Sequence, residues 1–195
     1  MAEQIIVPEN VNPKEFFERI VPKQFEAAKA ANPIEGMDGT EFSMQFDVDG
    51  PNGGSWSVIV TDGKNMKINS GPFDKAHLTM KLAESDWRDS VTGKTGVMMD
   101  MNRQLNASKA RTQLEALKGI KGKLITLLKK PDGSVMPVTI IFNKVEDPVA
   151  TIKMAMEDYV LMNEGKLDGQ SAFMQGKLLI EGDMMFAMQL SQIQF

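Results

Sequence analysis

Apolar residues recur at helical spacing between Asn12 and Ala31, where Phe16, Phe17, Ile20, Val21, Phe25 and Ala28 form one wide stripe. Asn12 suits the N-cap and Pro13 the first turn. Pro22 has no N–H to donate and is predicted to kink or split this helix. The period then falls to two. Phe42, Met44, Phe46 and Val48 alternate with polar residues, and Trp56, Val58 and Val60 alternate with Ser57, Ile59 and Thr61. Asp62-Gly63 is a turn signal leading to Met66–Ile68. Leu78, Met80 and Leu82 mark a fourth strand, with His77, Thr79 and Lys81 on its other side. A short helix carrying Trp87 and Val91 is predicted to stop at Gly93.

Between Val97 and Lys118 the pattern is helical with a jump in phase. Met98, Met101 and Leu105 share one stripe; Ala107, Ala110, Leu114 and Leu117 begin another, with Asn106 or Ser108 as its cap. Strands at Lys123–Lys129 and Val135–Phe142 flank a Pro131-Asp132-Gly133 turn. A strand at Ala150–Met154 precedes a helix containing Tyr159, Val160 and Met162. The run Ala172–Leu190 reads as a helix end, a Gly176 joint, a strand at Lys177–Glu181, a Gly182-Asp183 stop and a Met-rich helix. The predicted class is α+β: a mostly antiparallel sheet of five or more strands with helices on one face, in a single domain over residues 1–195. Residues 76–96 and 149–169 share an order of strand, acidic helix start, aromatic and Gly-Lys turn, and 117–128 echoes 172–183. Two explanations stand: a duplication with half-units at about 40–122 and 123–195, or one unit with extra strands.

Composition narrows the class. A chain with 42% hydrophobic and 25% charged residues can bury a substantial core. No run of about 18 apolar residues offers a membrane span. The start MAEQIIVPEN lacks the basic and apolar regions of a secretory signal, and Gln192-Ile193-Gln194-Phe195 does not read as a peroxisomal address. The absence of Cys excludes disulfides and thiolate chemistry, and fits the cytoplasmic location expected here. A net charge of −4 speaks against general nucleic-acid binding.

Catalytic chemistry is sparse. The single histidine, His77, lies on the polar side of a strand, where a structural role outweighs catalysis. No Cys or His pair supplies metal ligands, and no loop has the acidic spacing of a calcium site. Gly93-Lys94-Thr95 resembles the end of a phosphate loop, but the first glycine of that motif would fall at Arg88 and the triplet follows a helix. No G-x-S-x-G elbow is present. The expectation is no catalytic residue, no metal and no cofactor. The methionines remain: 16 in all, seven of them from Met154 to Met188. Thioether side chains fill irregular apolar space and adapt their rotamers. They suit either a solid core or a seat for an apolar ligand.

The strings Gly165-Lys166-Leu167, AFMQGKLLIEGD (172–183) and MMFAMQL (184–190) closely resemble the end of the sterol carrier protein (type two) lipid-transfer family. The resemblance is strongest over 150–195 and looser from Gly39 to Gly96, and the family's usual unit is shorter than this chain. It implies a terminal helix and sheet enclosing an apolar tunnel, and non-enzymatic binding and transfer of fatty acid, acyl-CoA or sterol-like lipid. The residues then expected to line the tunnel are Met154, Tyr159, Met162, Phe173, Met174, Leu179, Met184, Met185 and Met188, with Trp56 added from strand alternation. Burying about 14 methylenes at about 0.8 kcal/mol each yields roughly 11 kcal/mol, less several for ordering and association. Arg103, Lys109, Arg111, Lys118 and Lys121 stand in a basic segment of an otherwise acidic chain. They are the expected contact with an anionic membrane surface, worth about 1 kcal/mol each. Two other classes stay open: an accessory or catalytic enzyme acting on lipids or acyl thioesters, and an interaction module without ligand, such as a homodimer through a sheet edge.

Overall fold

Eight strands form one sheet in the computed structural model of the chain, which describes residues 5–31, 35–95 and 110–191. The strands are β1 (Glu41–Asp49), β2 (Gly54–Thr61), β3 (Asn65–Ser70), β4 (Leu78–Ala83), β5 (Gly122–Lys129), β6 (Val135–Phe142), β7 (Val149–Ala155) and β8 (Leu178–Gly182). The helices are α1 (Pro13–Glu15), α2 (Val21–Ala31), α3 (Glu84–Val91), α4 (Ala110–Gly119), α5 (Met156–Asn163), α6 (Gly169–Met174) and α7 (Met184–Ser191). Spatial order is β3-β2-β1-β4-β6-β5-β7-β8. Five neighbouring pairs are antiparallel; β1–β4 and β5–β7 are parallel, so the sheet is mixed. The predicted α+β class holds, with these two parallel pairings as its amendment. Each parallel pair has the same construction. A hairpin (β1–β2, extended by β3, or β5–β6) is followed by a strand laid parallel to its first arm, and that strand runs directly into a helix, α3 or α5.

Asn12 caps α1 as expected, its Oδ1 accepting the Glu15 N–H at 2.9 Å. Pro22 does not split the helix. A π-helical turn over Phe16–Ile20 joins α1 to α2, and the chain stays helical through to Ala31. The wider turn accommodates a proline ring that would otherwise press on the carbonyl four residues earlier. The expected helix over 97–106 lies outside the described residues.

Strand alternation assigns the two faces. Phe46, Trp56, Val58, Met80, Leu128, Met136 and Phe142 are buried on one face. There Phe17 of the π turn meets Phe46, Trp56 and Trp87 at ring separations of 5.0, 5.2 and 6.2 Å, nearly parallel to Trp56. Phe186 of α7 meets Phe142 edge-on at 6.0 Å. The helices thus cover the apolar face, which is what the period-two pattern requires. The other face carries Gln45, Asp47, Thr79 and Lys81, and the connection 71–77 runs across part of it. Phe73 donates its N–H to Gln45 Oε1 at 2.8 Å, and Ser43 Oγ donates to the Lys75 carbonyl at 3.1 Å.

One buried carboxylate ties the N-terminal half together. Glu84, in the first turn of α3, accepts the Asn52 N–H at 2.9 Å and Asn52 Nδ2 at 3.1 Å, and it pairs with Arg88. The Asn52 backbone bond, more than any other influence, holds its carboxyl below the usual range. Arg88 in turn donates from Nε to the Val11 carbonyl at 2.9 Å, linking α3 to the chain entering α1.

Candidate functional site

Local sequence dictates how the C-terminal elements stand. Asp168 caps α6 by accepting the Ser171 N–H at 2.9 Å and the Ser171 hydroxyl at 2.6 Å. Gly176 closes α6 with φ of +70°, the left-handed stop that glycine permits. The strand β8 then pairs with β7, setting Leu178 opposite Met154 and Ile180 opposite Ile152. Gly182 ends the strand at φ of +85°, and a Cβ there would lie 2.4 Å from the Val149 carbonyl oxygen, so no other residue fits without backbone movement. Asp183 follows as the cap of α7, its Oδ1 accepting the Phe186 N–H at 2.8 Å.

This capped start fixes the rotation of α7. Phe186, Ala187 and Leu190 turn inward and are buried. Met184, Met185 and Met188 turn outward, and Met185 is 78% exposed. Phe173 and Met174 on α6 and Leu179 on β8 are exposed as well. Eight large apolar side chains are strongly exposed among the described residues, and six of them fall between Phe173 and Met188. Scattered exposed apolar residues are ordinary; here six fall within 16 consecutive residues. Behind it, α5 and α7 both pack on β7. Tyr159 and Met162 of α5 are half-buried against the core, and burial pushes the Tyr159 phenol up.

The residues expected to line a lipid site therefore fall into three sets. Phe173, Met174, Leu179, Met184, Met185 and Met188 come from adjoining elements and are exposed. Tyr159 and Met162 are half-buried on α5. Trp56 and Met154 are core residues, at 5% and 6% exposure. Trp56 sits on β2, five strands from β7 in the sheet order. At about 4.8 Å per strand this is about 24 Å, so Trp56 is not brought together with the C-terminal residues; it is stacked on Phe17 instead.

Of the basic residues expected at a membrane surface, Arg103 and Lys109 lie outside the described residues. Arg111 donates to the carbonyls of Gly36 and Asp38 at 3.1 and 3.3 Å, and Lys118 pairs with Glu115 at 3.2 Å. Lys121 is exposed. No described helix is long and apolar enough to cross a membrane, and no metal-binding group of carboxylates or histidine occurs among the described residues.

His77 braces the fold. Its Nδ1 accepts the Ser43 N–H at 3.0 Å and lies 2.8 Å from Ser43 Oγ, while its ring stacks on Phe42. Ser43 is fully buried, which denies a substrate access to this Ser–His pair. Burial, followed by the charge of Lys118, pushes the His77 pKa below 6.5. Protonation at Nδ1 would also cost the Ser43 bond. Below pH 6.5 the unfolded chain therefore takes up this proton before the folded one does. The contribution is fully present above pH 6.5 and is lost as pH falls through the lower, folded-state value. Urea midpoints are expected to drop from pH 7 toward pH 5 in the native sequence and to drop less in His77→Gln. An equal drop in both would remove His77 as the cause.

An α+β fold with an acidic-capped, outward-facing apolar C-terminus is the class so defined. Residues 99–194 match the model of the SCP-2 sterol transfer family. Sterol carrier protein 2 from Homo sapiens is 42% identical over 67 residues, covering 34% of this chain and 11% of the relative. The Rattus norvegicus protein of the same name is 43% identical over the same length, with the same coverage. The chain thus spans about a tenth of the length of the curated relatives it matches. Among solved structures, the sterol carrier protein domain 2 of Helicoverpa armigera is 26% identical, with 54% of this chain and 85% of that chain covered and a TM-score of 0.37. Sterol carrier protein 2 from Yarrowia lipolytica is 20% identical, with 47% and 80% covered and a TM-score of 0.34.

Proposed function

We propose that this protein binds and transfers apolar lipids without catalysing a reaction, and that the lipid seats against α5, α6, β8 and α7. The observation that carries this reading is the concentration of exposed apolar side chains from Phe173 to Met188. It falls inside the stretch that matches the SCP-2 sterol transfer family. Exposed methionines give the surface rotamer freedom to follow a hydrocarbon chain. The half-buried Tyr159 and Met162 extend the apolar ground behind them. Fatty acid, acyl-CoA and sterol-like molecules are the ligand classes this chemistry suits, and a cytoplasmic location accords with the chain's lack of cysteine. The two matching strand–helix units are read as related halves of one domain. The test is titration of the full chain with a fluorescent fatty acid. Saturable uptake near the micromolar range supports the carrier, and no uptake refutes it.

A further inference from the structure

The chain holds 16 methionines and no cysteine, so thioether is its only sulfur. Among the described residues the methionines divide by exposure. Met174, Met184, Met185 and Met188 are 78%, 44%, 78% and 55% exposed. Met37, Met44, Met80, Met136, Met154 and Met156 are buried, at 8% or less, and Met66 and Met162 are half-buried. Every strongly exposed methionine among the described residues thus belongs to α6 or α7.

The folding of α7 produces this division. Its capped start turns Phe186, Ala187 and Leu190 inward, and none of these carries sulfur. All of the helix's sulfur therefore faces outward. Met184 and Met188 are four residues apart, and Met185 and Met188 three apart, the spacings that make side chains neighbours on a helix. Gln189 and Ser191 are exposed beside them, and the helix contains no charged residue. A face that meets only water normally carries charge; this one carries thioethers.

Thioethers react with hydroperoxides. The sulfur lone pair takes the terminal oxygen of the peroxide, and an S=O bond forms as the O–O bond breaks. The remaining oxygen takes the proton and leaves as an alcohol, or as water when the oxidant is hydrogen peroxide. Sulfur is oxidised, the peroxide is reduced, and no other reactant is consumed. A thiolate would intercept the oxidant first, and this chain has none. The product is a polar group where a soft apolar one stood. Hydrocarbon seated against it strips its water and returns no hydrogen bond. Close packing shields the buried sulfurs from the same reaction.

We infer that Met174, Met184, Met185 and Met188 are a modification site for hydroperoxides, and that their oxidation to sulfoxide releases apolar lipid from the C-terminal surface. The release rests on the lipid reading of that surface; the selective oxidation rests on exposure alone. The oxidant arrives from solution as hydrogen peroxide, or already seated as a fatty-acid hydroperoxide. Seating raises its effective concentration beside the sulfurs.

The full chain is treated briefly with hydrogen peroxide or linoleic acid hydroperoxide at equal low concentration. Peptide mass spectrometry and titration with a fluorescent fatty acid follow. The four methionines are expected to gain oxygen at least about tenfold faster than Met136, Met154 and Met156. Uptake is expected to weaken about tenfold, and to return when methionine sulfoxide reductases repair the protein. The combined variant Met174→Leu, Met184→Leu, Met185→Leu and Met188→Leu has no thioether at these positions. Whatever its starting affinity, peroxide is expected to leave that affinity where it was. Faster oxidation by the fatty-acid hydroperoxide assigns delivery to the lipid seat, and equal or slower oxidation assigns it to solution; both support the site. Oxidation spread evenly over exposed and buried methionines, selective oxidation with uptake unchanged, or full peroxide sensitivity in the leucine variant overturns the inference and leaves the lipid proposal standing. Failure of the untreated protein to take up fatty acid defeats both.

Discussion

Replacing Phe17 by alanine is expected to destabilise the protein by about 3–5 kcal/mol, the usual cost of emptying a buried phenyl site. Phe17 is 1% exposed, and the rings of Phe16, Phe46, Trp56 and Trp87 all lie within 6.2 Å of its own. Four rigid rings cannot collapse into the space it leaves, so the cavity persists along with the lost transfer energy. Against a typical total of about 5–15 kcal/mol, this is a large share. Urea denaturation monitored by Trp fluorescence measures it directly, since Trp56 and Trp87 report on the same cluster. Phe17→Leu should recover more than half. A loss under about 1 kcal/mol for the alanine variant would mean that the cluster does not anchor the N-terminal helix to the sheet.

The second large effect concerns binding. Met185→Asp is expected to weaken fatty-acid uptake about tenfold or more, because a carboxylate would have to shed water against hydrocarbon. The variant is informative because Met185 is 78% exposed. Surface substitutions of this kind change stability by about 0.5 kcal/mol or less, so lost uptake cannot be blamed on unfolding. Equilibrium titration with a fluorescent fatty acid, paired with a denaturation curve, provides both readings. Retained affinity in the folded variant would remove Met185 from the lipid surface.

Most of the fold was legible in the chain because period-two runs and turn residues act locally. Val135–Phe142 forms its strand with the expected ends, and Gly176 and Gly182 stop their elements where left-handed backbone is required. Strand order was not legible. It depends on which edge a strand meets after a crossover, and the parallel placement of β4 beside β1 has no signature within either strand. Of the kink or split expected at Pro22, the split does not occur, because the π turn at Phe16–Ile20 accommodates the ring. Trp56 was assigned to the lipid site because alternation tells that a side chain is buried, not what covers it. Phe17, about 40 residues upstream, does so. The rotation of α7 was also hidden. Its sequence is apolar nearly all round, and only the cap at Asp183 and the fit of Phe186 against Phe142 and Gly122 decide which methionines face outward.

Photolabelling the full chain with a diazirine fatty acid, followed by peptide mapping, tests the lipid reading most directly. Saturable labelling confined to residues 156–190, centred on Met184, Met185 and Met188 and competed by unlabelled fatty acid, is the predicted result. Labelling spread evenly over the surface, or concentrated in the N-terminal half around Trp56, would contradict it.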